Sequence, residues 1–229
     1  MRNRLFGNHA ATDRLAEAAI ADMKAQGAVI VDPALIPTLG QFDDSEFEVL
    51  LFEFKDNLNR FLIWFGPHAA VRSLRDLIAF NQSHADDELK YFGQEILLMA
   101  EAKQGLTSSD YKQALERNRR LARTEGIDAV MKRFNLDALV APTGGPAWLI
   151  DLVNGDSAMS PSPSTIAAVA GYPHITVPMG SYRGLPIGLS FFGRAWSEAT
   201  LIRIAYAYEQ ATHHRKAPQF ASSADLTEH

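Results

Sequence analysis

The sequence predicts a helix-rich α/β fold with a mixed sheet of few strands. Helical periodicity dominates residues 9–134, and after Asn135 it gives way to short β-rich runs punctuated by Gly and Pro. The composition is that of an ordinary globular chain, 229 residues with 47% hydrophobic and 21% charged residues. A chain of this length buries a sizeable core without staples. We therefore expect one domain over 1–215, with a helical part at about 44–134, a sheet-rich part at about 135–212, and a loose tail at 216–229.

The elements follow in order. From His9 to Gln26, residues Leu15, Ala18, Ala19 and Met23 recur near helical spacing, and Gly27 is placed to stop the helix. Ala28-Val-Ile-Val-Asp32 reads as a short buried strand, and Pro33 and Pro37 mark the loop after it. The strongest helix signal is Phe47, Leu50, Leu51, Phe54, Leu58, Phe61, Leu62 and Phe65, at intervals of three and four behind a Ser45-x-x-Glu48 capping box. This helix has one broad apolar face. Ser73-x-x-Asp76 opens a short helix, Gly93–Ala100 forms another that Gly105 ends, and Thr107 or Ser108 caps a long one to about Phe134.

The β-rich runs are 137–143, 174–180 and 187–193, the last two joined by Ser181–Pro186 in a hairpin-like antiparallel connection. They are largely apolar, which predicts a sheet covered on both faces. Between the first two lies a short helix of small residues, 164–171. Ser197 caps a final helix to about Thr212.

Composition excludes several functions. There is no cysteine, so disulfides, cysteine-ligated zinc, iron–sulfur clusters and thiol nucleophiles are out, and a cytoplasmic location is expected. The net charge is −5. The one basic cluster, Arg117 to Arg123, is interleaved with Glu116 and Glu125 and reads as a solvated helix face, so no nucleic-acid partner is expected. No apolar run approaches a membrane span, and Asp13, Glu17 and Asp22 interrupt any signal peptide. The seven histidines show no metal-ligand spacing and read as surface residues; no cofactor or metal is expected. There is no Gly-x-Ser-x-Gly elbow and no Gly-x-Gly-x-x-Gly before a helix.

Three ordered motifs carry a family likeness: Leu136-Asp-Ala-Leu-Val-Ala-Pro-Thr143, Ala168-Val-Ala-Gly-Tyr-Pro-His-Ile-Thr-Val-Pro-Met-Gly180, and Gly184-Leu-Pro-Ile-Gly-Leu-Ser-Phe-Phe-Gly193. Together they resemble the C-terminal part of amidase-signature enzymes. Asp44–Leu58 and Tyr91-Phe-Gly-Gln-Glu-Ile96 are similar to the helical insert of that family, so the resemblance spans nearly the whole chain. It implies hydrolysis of an amide carbon–nitrogen bond by a serine nucleophile, aided by a second serine in a cis peptide and a lysine base. In the family these groups lie in the N-terminal half, and complete members are about twice as long as this chain.

That catalytic set has no counterpart here. The Ser-Ser pairs, Ser108-Ser109 and Ser222-Ser223, do not sit in glycine-rich turns. Lys55-Asp56-Asn57 looks like the family's lysine motif but lies inside the amphipathic helix 46–65, where it reads as an ordinary helix-surface lysine. No catalytic residue is assigned. By resemblance, Thr143, Gly144, Gly145, Pro146 and Trp148 line the acyl side of the substrate pocket, beyond the carboxyl end of a strand where such sheets collect ligands. The alternative is a tight turn with Trp148 as core filler. Tyr91 and Gln94 face the same pocket or pack between helices. Asp151 and Asp156 read as merely exposed. The chain is thus expected to be the C-terminal portion of an amide hydrolase, inactive alone. The alternative is a non-catalytic ligand-binding protein or a split subunit completed by an N-terminal amidase half. Its uncovered sheet predicts a homo-oligomer.

Overall fold

The computed structural model describes residues 1–156 and 161–220, which fall into two compact units. One comprises Met1–Leu39 with the chain from Arg120 onward, and the other Gly40–Arg119. The boundary runs through the long helix expected to end near Phe134. Ser222-Ser223 and most of the expected tail lie outside the described residues.

The first unit is built on a three-stranded sheet of β1 (Leu139–Pro142), β2 (His174–Tyr182) and β3 (Leu185–Phe192), in the order β1-β3-β2. Both pairings are antiparallel, so the expected mixed sheet is corrected to an antiparallel one among the described residues. A two-residue turn, Arg183-Gly184, joins β2 to β3. Both residues have positive φ (49° and 75°), which matches the right-handed twist of the strands it links. The register puts Ala141, Ser190 and Thr176 in one row, and a bulge falls between Pro178 and Gly180.

One face of this sheet packs on α1 (Ala10–Ala25) and α9 (Glu198–Thr212): Ile187, Leu189, Phe191 and Met179 meet Ala16, Ala19, Leu201, Ala205 and Tyr208. His9 caps α1 by accepting from Thr12 N at 3.2 Å. The opposite face differs from the expected apolar surface, because Thr143, Thr176, Ser190 and His174 lie on it.

The long helix changes winding at its centre. Residues Arg120–Ile127 are π-helical before α7 (Asp128–Phe134), and Gly126 departs from helical angles (φ −99°, ψ −109°). The Thr38 hydroxyl donates to Leu121 O at 2.7 Å, and a Cβ at Gly126 would stand 2.5 Å from that same carbonyl. Arg123 donates to Ala170 O at 2.6 Å, at the C-terminus of α8 (Ser164–Ala170), and its guanidinium lies over the Tyr172 ring. Tyr172 in turn donates to Asp128 at 2.8 Å. Burial, reinforced by that bond, pushes the Tyr172 phenol up to about 12. Arg120 pairs with Glu125 at 2.9 Å. Within the basic cluster, Arg123 is committed to packing and capping, while Arg117, Arg119 and Arg120 are exposed, as a solvated helix face predicts.

The second unit is helical: α2 (Asp43–Phe65), α3 (Leu74–Ser83), α4 (Ala85–Glu88), α5 (Glu95–Glu101) and α6 (Ser109–Arg119). Leu51, Leu74 and Ala100 form its core with Leu58, Leu77, Ile78 and Leu97. Ser73 caps α3 as expected, accepting from Asp76 N at 3.1 Å. The Ser45 capping box does not form. α2 starts three residues earlier, and the buried Ser45 hydroxyl bonds Phe42 O at 3.0 Å and Asn118 Oδ1 at 2.6 Å. Asn118 donates back to Ser45 O, clamping α6 to α2. Ser197 begins α9 without a side-chain cap; its hydroxyl donates to Arg194 O instead. The expected strand Ala28–Asp32 is absent.

Candidate functional site

β1 ends at Pro142, and Thr143 carries the chain out of the sheet while still held by it. Its N–H donates to Gly188 O at 2.8 Å. Its Oγ1 lies 2.6 Å from Thr176 Oγ1 and 2.8 Å from Ser190 Oγ. Period-two alternation places these groups on the face opposite Leu189 and Phe191. Gly188 makes the cluster possible. A Cβ there would stand 2.6 Å from Thr176 Oγ1 and 2.7 Å from Thr143 Oγ1.

Three hydroxyls sharing two hydrogen bonds leave one O–H uncommitted, since each carries a single proton. Ser190 is fully buried and Thr176 is exposed. An unsatisfied buried donor costs about 1–3 kcal/mol. The favoured order therefore has Ser190 donating to Thr143, Thr143 to Thr176, and Thr176 outward. The cluster is a polarised donor on the open side of the sheet. Among the described residues no lysine or histidine bonds any of the three.

His174, two residues before Thr176, shares this face. It is half-buried, its ring leans on Phe192, and Nε2 is buried without a partner among the described residues. Burial lowers its pKa below the ordinary 6.5, favouring the neutral imidazole. It is not the surface histidine expected. The available signal was its place at the start of an apolar strand, in phase with Thr176.

In the loop, Gly144 and Gly145 are half-buried and Pro146 is buried. Trp148 is 47% exposed and donates to Asp156 Oδ1 at 3.4 Å, so it fills no core. Asp151 does more than sit exposed. It accepts from Asn154 N and Val153 N, each at 2.9 Å, and from the Asn154 side chain at 2.8 Å. The Asn154 backbone N–H leads in holding its carboxyl below the usual range.

The remaining candidates belong to the helical unit. Gln94 accepts from Asn81 at 3.3 Å and donates to Ile78 O at 3.4 Å, tying the approach to α5 onto α3. Tyr91 is exposed, with Lys90 over its ring. Lys55 differs from the expected surface residue: its ammonium donates to Glu101 O at 2.5 Å and Lys103 O at 2.9 Å, closing the C-terminus of α5. No cluster of three or more His, Asp or Glu able to hold a metal ion occurs among the described residues. No helix there is long and apolar enough to cross a membrane.

Comparison with known proteins settles the lineage of this arrangement. The amidase family profile matches residues 2–202, most of the chain. The chain belongs to the amidase family. A probable amidase of Arabidopsis thaliana is 37% identical over 207 residues, covering 88% of this chain and 36% of that protein. The structure of a peptide amidase in complex with the competitive inhibitor chymostatin is 46% identical, with a TM-score of 0.88 over 96% of this chain and 44% of the other. Native peptide amidase from Stenotrophomonas maltophilia is 47% identical, with a TM-score of 0.83 over 91% of this chain and 41% of the other. The amidase chain described here thus spans well under half the length of each.

Proposed function

We propose that this chain is the C-terminal portion of an amide hydrolase acting on peptide amides, and that it is inactive without the rest of the amidase fold. The observation that carries this reading is a TM-score of 0.88 and 46% identity to a peptide amidase, over only 44% of that enzyme. Residues Thr143, Gly144, Gly145, Pro146 and Trp148 line the substrate pocket in this reading. The Thr176 hydroxyl, polarised through Thr143 and Ser190, donates to a polar group of the substrate. The nucleophile and its lysine come from the portion not spanned here. A cytoplasmic setting fits a chain without cysteine.

The test compares the purified chain with the same chain mixed with the N-terminal portion of the Stenotrophomonas enzyme. Neither piece alone should release ammonia from a peptide amide, and the mixture should. Turnover by this chain alone, with a serine labelled stoichiometrically by a fluorophosphonate, would falsify the proposal.

A further inference from the structure

The chain carries one Asn-Gly pair, Asn154-Gly155, and it lies in the turn that Asp151 organises. An asparagine before glycine can react with its own backbone, because the next residue's nitrogen reaches the carboxamide carbon and glycine has no Cβ to block the approach. Nothing here shields the pair. Both residues are exposed, and a Cβ at Gly155 would meet no described atom within 4 Å.

Both reacting groups are nevertheless tied to one residue. The attacking nitrogen, Gly155 N, donates to Asp151 O at 3.1 Å. The leaving nitrogen, Asn154 Nδ2, donates to Asp151 Oδ2 at 2.8 Å, while the Asn154 and Val153 N–H groups each hold Asp151 Oδ1 at 2.9 Å. Ring closure requires Gly155 N to lose its proton and the Asn154 carboxamide to swing onto it, so both of these ties must break. The Asp151 carboxylate, bound to the preceding N–H, also places a negative charge near an amide that must itself become an anion.

We propose that Asn154 is a latent deamidation site held in check by the Asp151 turn. In the reaction Gly155 N gives its proton to hydroxide and bonds to Asn154 Cγ; the Cγ–Nδ2 bond then breaks, and Nδ2 takes a proton from water and leaves as ammonia. Water opens the resulting five-membered imide at either carbonyl, giving aspartate or isoaspartate at this position. The net change is one water in and one ammonia out. Either product removes a donor to Asp151 and sets a second carboxylate against it, and isoaspartate also lengthens the main chain. Trp148 bonds Asp156 at 3.4 Å just beyond the pair, so the change undoes the turn within the loop that leaves β1 at Thr143.

Incubation of the full chain at mildly alkaline pH, with peptide mapping for the one-dalton mass gain and for isoaspartate, tests it. Product should form at Asn154 about tenfold more slowly than in a free peptide of residues 150–156, where no turn is held. Asp151→Ala leaves the main-chain tie from Gly155 in place but removes the carboxylate, and it should raise the rate in the chain about fivefold or more, toward that of the peptide. Asp151→Asn keeps the side chain's shape and one acceptor oxygen and should fall between the two, with mapping separating position 151 from 154. Because the turn is exposed, thermal melts of both variants should match the parent, so that a faster rate reports the turn and not unfolding. Product in the parent chain at the peptide's rate, or the same rate in the parent and both variants, overturns the role of Asp151. Absence of product at Asn154 in every form, the peptide included, overturns the site itself.

Discussion

Gly188→Ala probes the hydroxyl cluster through the one position that permits it. The backbone there is not in the left-handed region, so at an open position alanine would be stabilising, by about 0.4–1 kcal/mol, through the unfolded chain. Here the added Cβ meets Thr176 Oγ1 at 2.6 Å and Thr143 Oγ1 at 2.7 Å, with Thr143 Cβ at 3.1 Å. Both neighbours are β-branched and stiff at χ1, so relief requires rotating them out of their mutual bond. Overpacking of this kind costs about 1–3 kcal/mol. Losing the Thr143 contact also leaves the buried Ser190 hydroxyl unpaired, for about 1–3 kcal/mol more. Against the alanine gain, a net loss of about 1–6 kcal/mol follows. Urea unfolding of the chain measures it as a lower midpoint at unchanged slope. In a Thr143→Ala background the same substitution should cost at least about 1 kcal/mol less, since one clashing oxygen is gone. A change within about 0.5 kcal/mol, or strict additivity, would refute the cluster.

Lys55→Gln should destabilise by about 1–3 kcal/mol, because two charge-assisted bonds to the end of α5 are lost; thermal melts should also show Lys55→Arg retaining part of the stability. The pKa of His174 is lowered on folding, so its contribution is present above the ordinary histidine value of 6.5 and is lost as pH falls through the folded one. Replacing it with Gln should flatten the unfolding free energy in that acid range, and an unchanged acid limb would count against the buried imidazole. The chain should self-associate through exposed apolar surfaces, foremost Phe61, Ile63, Trp64 and Phe65 at the end of α2. Light scattering at micromolar concentration should find a dimer or larger, Trp64→Glu should reduce it, and a stable monomer would contradict the expectation.

Periodicity made most helices legible, since an apolar residue every three or four positions is a local property. What it could not convey depends on partners far along the chain. Ser45 had the spacing of a cap, but its hydroxyl is claimed by Asn118, 73 residues away. The π-helical stretch rests on Thr38, which satisfies a carbonyl 83 residues on. Thr143, Thr176 and Ser190 are unremarkable singly, and only the strand register, with a glycine opposite Thr143, turns them into one cluster. Lys55 was correctly placed on a helix, yet its neighbours, the carbonyls ending α5, could not be seen from its own periodicity.

The two largest departures share another cause. The α2 stripe of Phe47, Leu50, Phe54, Phe61 and Phe65 has a core helix's spacing, yet all five are exposed, and Leu50, Phe54 and Phe61 line an open groove of about 440 Å³. Val29–Val31 likewise has a buried strand's pattern without the sheet. In both places the local pattern is strong and the expected contact is missing. A misread pattern would scatter its apolar residues without phase, whereas these keep helical and strand periods throughout. A sequence that retains the pattern of a fold while spanning 44% of it would produce this outcome. These two segments are therefore where a match to 44% of a larger fold shows most plainly in the chain's own residues.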